Sequence, residues 1–267
     1  GLKGDPSMPP ATRALTALGP AYIKFGQILS TRPDVVGDDL ALQLRVLQDK
    51  LPPFPKAEAK REIERELEVP VDQVFANFSE PVAAASIAQV HKATLIETGE
   101  DVAIKVLRPG IERAFRKDID AFYLAATMVE MLSPSSRRLK PMDVITHFEG
   151  VVMGELDLRL ESSAAAEYAA NTGKDDGFQL PMVQWDLSAK RVMTLGWAEG
   201  IPAGDVVAID AAGHDRRILG ERILQLFLSH ALRDGYFHGD MHQGNLKIAA
   251  NGDIIAYDFG IMGRIDE

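Results

Sequence analysis

Two carboxylates and an amide near the end of the chain have the types and spacing to grip a phosphorylated ligand. His238-Gly-Asp-Met-His-Gln-Gly-Asn245 sets Asp240 and Asn245 five apart, and Asp258-Phe-Gly260 follows after a short apolar strand. An acid in the first position can orient the group that attacks a terminal phosphate. The amide oxygen and the second acid can hold the divalent ions that bridge phosphates. Lys105 supplies the complementary cation. It closes the strand Asp101-Val-Ala-Ile-Lys-Val106, which follows a Glu97-Thr-Gly-Glu100 turn and has the hairpin pattern of apolar runs split by a Gly-containing loop. A lysine at a strand end is usually a solvated terminus, and short motifs recur freely. With all three in this order and spacing, a site for Mg2+ and ATP is the stronger reading.

The segment that would cover the phosphates is unusual. Protein kinases place a glycine-rich turn before the lysine strand, because bare backbone approaches phosphate closely. Here Pro81 is followed by Val82, Ala83, Ala84, Ala85, Ser86, Ile87, Ala88, Gln89 and Val90, with no glycine. Small side chains leave the main-chain N–H groups able to cradle an anion, while the Cβ atoms restrict φ and stiffen the turn. An alanine-rich patch packed in a small core fits the composition equally well. Further upstream, Tyr22-Ile-Lys-Phe-Gly-Gln27 puts Lys24 and Gln27 three apart, on one helix face. Tyr22, Phe25 and Ile28 form an apolar stripe beside them. Without context this is an ordinary amphipathic helix. Glu155, Asp157 and Glu161 read, on the same terms, as a solvated helix face.

Taken together, KFGQ, AAASIAQVH, VAIKV, GELDLRLE, HGDMHQGN and DFGIMGR closely resemble the UbiB family, the aarF-domain-containing atypical kinase-like proteins of ubiquinone biosynthesis. The motifs run from Lys24 to Arg264 in family order. The resemblance implies an α+β, bilobal protein-kinase-like fold. Its small β-rich N-lobe carries extra N-terminal K-x-G-Q helices, and its C-lobe is mostly helical and truncated here. It implies ATP and Mg2+ as cofactors, with Asp240 as the catalytic-loop acid and Lys105 as the ATP-site lysine. Glu161 is the helix partner of that lysine. Glu155 and Asp157 form the family's E-x-D pair facing the K-x-G-Q helix. Lys24 and Gln27 lie over the place where a kinase binds its peptide. Val82 to Val90 cover the nucleotide, and Asn245 and Asp258 are the metal ligands. Family members are credited with ATPase behaviour and a poor fit to protein substrates. The implied partners are ATP or ADP, ubiquinone-biosynthesis proteins and a lipid or quinone precursor. Three departures stand out: Gly239 where the family commonly has alanine, Gly196 where it often has an acid, and Lys247, which interrupts an apolar strand.

Composition sets the limits. A chain of 267 residues buries a large core and has room for two lobes. Its net charge of −10 argues against a general nucleic-acid binder, whose affinity rests on phosphate neutralisation. With no cysteine, disulfide and thiolate chemistry are excluded. No apolar run reaches the roughly 20 residues of a spanning helix. The expectation is a chain that is soluble as given, cytoplasmic, and associated peripherally with the bacterial inner membrane or its mitochondrial equivalent. The chain stops seven residues after Gly260, so a longer parent is expected. Gly1–Ser7 reads as an expression remnant or a disordered start. The oligomeric state is not legible.

These motifs need elements to hold them. The patterning predicts a helix over 12–30, a second from Asp38, a break at Pro52–Pro55, and a charged helix over 56–68. A strand pair then spans the alanine segment, the lysine strand follows, and a long amphipathic helix covers 111–132. Ser133–Ser136 reads as a turn. One helix is expected over 142–171, strands over 179–187 and 191–195, a hinge from Trp197 to Gly204, and an apolar helix over 218–234. The expected domains are 1–70 as the helical extension, 71–196 as the N-lobe and 197–267 as a partial C-lobe. His238 is expected to pack against the Asp258-Phe-Gly segment, and His242 to make a loop-stabilising hydrogen bond. A zinc pair is disfavoured, because the flanking glycines argue for a loop. Three functions compete: an ATP-hydrolysing atypical kinase, a small-molecule or lipid phosphotransferase, and an ATP-switched scaffold.

Overall fold

The computed structural model describes residues 9–47, 51–132 and 138–265. Gly1–Ser7 and the turn at Ser133–Ser136 lie outside them. The order is α1 (Pro10–Leu18), α2 (Pro20–Ser30), α3 (Pro33–Val36), α4 (Asp38–Leu44), α5 (Lys56–Leu67), α6 (Val71–Val74), β1 (Phe75–Ala76), β2 (Pro81–Ala84), β3 (Ala88–Leu95) and β4 (Asp101–Leu107). There follow α7 (Ile111–Leu132), α8 (Pro141–Glu155), α9 (Leu158–Thr172), β5 (Phe178–Gln179), β6 (Val192–Gly196), β7 (Ile201–Pro202), α10 (Val206–Ala211) and α11 (Arg216–Ser229). The chain ends with a π-turn at His230–Asp234, β8 (Tyr236–His238), β9 (Leu246–Ile248), β10 (Ile254–Ala256) and β11 (Met262–Arg264). This is a mixed α+β chain that divides into two compact units.

The first unit combines Gly1–Glu62, Pro81–Val90 and Val106–Leu156. The helix expected over 12–30 is two helices, because Gly19 adopts φ 120° and Pro20 starts α2 at its first position. Ile23 of α2, Leu44 of α4 and Leu47 form a core against Leu15, Leu29 and Leu40. The other side of α2 meets α7 and α8. Phe25 stacks on Phe122 at 4.7 Å and meets Phe148 edge-on at 5.1 Å, while Tyr22 meets Phe122 edge-on at 4.8 Å. Gly26 is where α2 approaches its neighbours most closely. A Cβ there would lie 2.3 Å from a Leu47 methyl and 2.6 Å from a Leu15 methyl.

The second unit combines Ile63–Glu80, His91–Lys105 and Asp157–Glu267. Strands β1, β3, β4 and β6 form a sheet in that order. On β4 the alternation is plain: Val102 and Ile104 are fully buried, and Ala103 and Lys105 take the opposite face. A second sheet runs β5-β10-β9-β7, and β8 pairs with β11. The helix expected over 142–171 breaks at Leu156. Asp157 takes an extended conformation and caps α9 by accepting from the Arg159 N–H at 3.2 Å. The strand expected over 179–187 shrinks to β5, an isolated bridge at Val183 and a 3-10 turn at Trp185–Leu187. The apolar helix expected over 218–234 ends instead in the π-turn.

Candidate functional site

Lys105 is held in place by the strand face and by α9. Its ammonium donates to both Glu161 oxygens, at 2.7 and 2.8 Å, with Glu161 in the first turn of α9. A carboxylate there is also favoured by the positive end of the helix. The break at Leu156 thus gives α9 its own N-terminus. Asp258 Oδ1 lies 3.9 Å from the same ammonium.

The loop after β8 is fixed mostly by its own atoms. His242 N–H donates to Asp240 O and Asn245 N–H donates to His242 O, both at 2.9 Å. The Asn245 amide nitrogen donates to Asp240 O at 3.0 Å and approaches Asp240 Oδ2 at 3.4 Å. With the nitrogen committed, Asn245 Oδ1 remains as its acceptor and ligand atom. His238 Nδ1 accepts from Asp240 N–H at 3.1 Å, so its Nε2 carries the proton and donates to the Asp258 carbonyl. The ring also lies 6.2 Å from that of Phe259. Burial pushes the His238 imidazole below its ordinary pKa, which keeps it neutral. His242 Nδ1 accepts from Gly244 N–H at 2.9 Å, and its Nε2 lies 3.4 Å from Asp240 Oδ2. Gly239 is tight rather than loose. A Cβ there would meet an Ile261 methyl at 3.0 Å.

The second unit therefore holds two groups, Lys105 with Glu161 and Asp258, and Asp240 with Asn245. The oxygens of Asn245 and Asp258 are hard donors of the kind Mg2+ takes, and magnesium sites commonly use one or two protein ligands beside phosphate oxygens and water. Among the described residues no cluster of three or more His, Cys, Asp or Glu is placed to hold a metal. The donor set fits an ion brought in with phosphates better than a cage made by the protein alone.

In the first unit Lys24 pairs with Glu155 at 2.8 Å, both largely screened from solvent. Gln27 follows one turn later on α2. Asp157 behaves differently. Besides capping α9, its oxygens take the Arg159 guanidinium at 2.8 and 2.6 Å, and that guanidinium holds its carboxyl below the usual range. The alanine segment is a pinned turn. Ala85 N–H donates to Ala88 O at 2.8 Å, and the Arg108 guanidinium donates to Ala85 O at 2.7 and 3.1 Å. Gln89 bonds both main-chain groups of Phe54, at 2.9 and 3.2 Å. Ser86, Ile87, Ala88 and Gln89 are buried, whereas Val82 and Ala83 are exposed. Arg108 escaped the sequence reading; its signal was a cation directly after an apolar strand and before Pro109-Gly110.

Lys247 also finds an account. Its ammonium donates to Ala198 O at 2.7 Å and lies over the Trp197 and Tyr257 rings at 4.7 and 5.6 Å. Lys92 sits over the same indole at 4.7 Å. Burial lowers the Lys247 pKa.

With this geometry in view, the comparisons with known proteins are decisive. The model of the ABC1 atypical kinase-like domain matches residues 46–267. The chain belongs to that family. Proteins called probable protein kinase UbiB are similar to it: one from Marinobacter nauticus is 42% identical over 94% of this chain and 47% of its own length, and one from Pseudomonas aeruginosa is 40% identical over 95% and 48%. The chain thus spans about half the length of these curated relatives. A Mycobacterium tuberculosis protein solved in complex with erythromycin matches with a TM-score of 0.67 and 30% identity, over 94% of this chain and 63% of that one. The kinase-like α+β fold expected from the motifs is the fold of this family. Among the described residues, no helix is long and apolar enough to cross a membrane.

Proposed function

We propose that this ABC1 chain binds ATP with Mg2+ and hydrolyses it, in support of ubiquinone biosynthesis. The observation that carries the reading is the Lys105–Glu161 pair with Asp258 beside it, in the unit that also holds Asp240 and Asn245. In this reading Lys105 contacts the α and β phosphates, and Glu161 keeps its ammonium extended. Asn245 and Asp258 would hold the ion, which when bound supplies positive charge to the phosphates as they are cleaved. Asp240 orients the attacking water. Its carboxylate sits beside the Asn245 amide and the His242 ring, so its position is set before any ligand arrives. Within the first unit, the Lys24–Glu155 pair ties α2 to the end of α8.

A thermal-shift titration tests the binding step. A ligand that binds only the folded state raises its stability, by about 2.7 kcal/mol at a hundredfold excess over Kd. Mg·ADP and Mg·ATP are expected to raise the melting temperature, and ADP with EDTA is expected to raise it less. No shift with either nucleotide sinks the reading. Phosphate release in the presence of Mg·ATP tests turnover.

The erythromycin-bound relative favours a second reading, in which the phosphoryl group passes to a small amphiphilic acceptor rather than to water. The two separate on acceptor dependence: ADP release without added acceptor marks hydrolysis. Phosphorylation of a generic protein substrate counts against both.

A further inference from the structure

We propose that Lys247 is a specificity-determining residue that contacts the nucleotide base and opens the proposed phosphate site to guanine as well as adenine. The base contact rests on the nucleotide site proposed above and concerns the end of it that the phosphates do not occupy. Lysine is out of place on β9. Its neighbours Leu246 and Ile248 are buried, and a charged group set between them loses solvation. The ammonium recovers one hydrogen bond, donated to Ala198 O at 2.7 Å, and lies over the Trp197 and Tyr257 rings at 4.7 and 5.6 Å. An ammonium carries three donors. Among the described residues Ala198 O is the one acceptor they meet. Two N–H groups therefore stay available to a ligand.

Strand register sets where that ammonium stands. In the β9–β10 pair Lys247 faces Ile255 and Leu246 faces Ala256. One step further, Tyr257 N–H donates to Asn245 O at 3.3 Å. Side chains two apart on a strand share a face, so Asn245, Lys247 and Tyr257 lie on one side of the pair, with Lys247 about 7 Å along from the proposed metal donor. On β4, Lys105, Ala103 and Asp101 share the face opposite the buried Val102 and Ile104. The strand rise puts Asp101 about 13 Å from Lys105. Trp197 joins the two sheets at this far end. Its N–H donates to Asp101 O at 2.9 Å, and Lys92 of β3, paired with Asp101 at 2.7 Å, lies over the same indole as Lys247, at 4.7 Å. A nucleotide with its phosphates at Lys105 and its ion at Asn245 and Asp258, running along both strands, brings its base to Trp197, Tyr257 and Lys247. The edge of the base then decides the preference. Guanine sets two acceptors side by side, O6 and N7, and lysine donates to both; adenine keeps N7 but carries an amino donor in place of O6. The two spare N–H groups of Lys247 match the first edge and meet a like donor on the second.

Titration calorimetry of the whole chain with Mg·ADP, Mg·GDP and Mg·IDP tests the contact, since the inosine nucleotide shares O6 and N7 with guanine but lacks its 2-amino group. The wild-type chain is expected to bind GDP and IDP at least as tightly as ADP. Lys247→Gln keeps a donor for Ala198 O and offers an amide oxygen to the adenine amino group. It is expected to move the ratio of GDP to ADP affinity about tenfold toward ADP, the scale of one base-edge contact. Lys247→Arg carries donors alone and is expected to hold the wild-type ratio. Each ratio is taken on a single protein, so a loss of stability that weakens both nucleotides alike cancels. If Lys247→Gln does not fold, the wild-type ranking decides. An unchanged ratio in a folded Lys247→Gln, or a wild-type chain that binds ADP more than about tenfold tighter than GDP, overturns the base contact and leaves the proposed nucleotide site standing. A wild-type chain that binds none of the three nucleotides overturns that site, and the base contact with it.

Discussion

Asp258 and Lys105 make the most direct test at the scale of single residues. Asp258→Asn removes one of the two proposed metal donors while keeping the shape. It is expected to abolish the difference between nucleotide binding with and without Mg2+, measured by thermal shift; an unchanged metal dependence counts against the ligand role. Lys105→Ala leaves Glu161 without the ammonium that satisfies both its oxygens, and is expected to weaken nucleotide binding. These candidates stood out in the sequence because their order and spacing match a phosphate-handling pattern common to many chains, and the structure sets Asp258 3.9 Å from the Lys105 ammonium. Asp157 was placed with Glu155 by resemblance, yet the structure engages it with Arg159 and the start of α9. Its position two residues after Glu155 gave no sign of the helix break between them. Tyr168, Asp175 and His230 were not singled out at all. A lone histidine closing an apolar helix is weak evidence until the fold supplies its partners.

At the scale of elements, two junctions carry testable weight. Asp157→Ala removes the cap of α9, which typically costs about 1 kcal/mol, and loosens the turn that aims Glu161 at Lys105. Chemical denaturation is expected to show the loss, with a smaller nucleotide-induced shift in melting temperature. Gly26→Ala puts a methyl into the space of Leu47 and Leu15. Overpacking of this kind costs on the order of 1–3 kcal/mol. Denaturation is the measurement, and a change below experimental error would mean that the two leucines rotate away freely. The glycine in the K-x-G-Q stretch is therefore explained by the approach of α2 to its neighbours. Helices α5 and α7 followed their sequence patterns closely. The two over-long helices share one cause: periodicity runs on across Gly19-Pro20 and across Leu156-Asp157, where a local conformational rule breaks the helix. Short strands such as β7 and β11 escaped because two or three residues show no period.

For the molecule as a whole, the buried histidine sets a pH window. The His230 pKa is depressed in the fold, so its contribution is fully present above the unfolded-state value of about 6.5. As pH falls below that, the unfolded chain takes up the proton first and the fold weakens toward the lowered folded value. Melting temperature is expected to fall between pH 7 and pH 5, and His230→Gln is expected to flatten that slope. The charged groups facing the ring, Asp175, Asp234 and Arg233, partly oppose one another and leave desolvation in command. The class of fold was legible because its motifs lie in one linear order. The pairing of β5 with β10 and of β1 with β3 was not, since such contacts join segments whose separation in sequence carries no local signal.

That interleaving of segments has a consequence for how the protein comes into being. A ribosome releases the chain from one end at about 5–20 residues per second. The last segment of the first unit ends at Leu156, so its parts are all available early. Lys105 and Glu161 also emerge early, but β5 must wait for β10, and β8 for β11, before either pair can form. During those seconds β5 and β8 lack their partner strands. The last part of the second unit to come into register is accordingly the stretch that carries Asp240, Asn245 and Asp258.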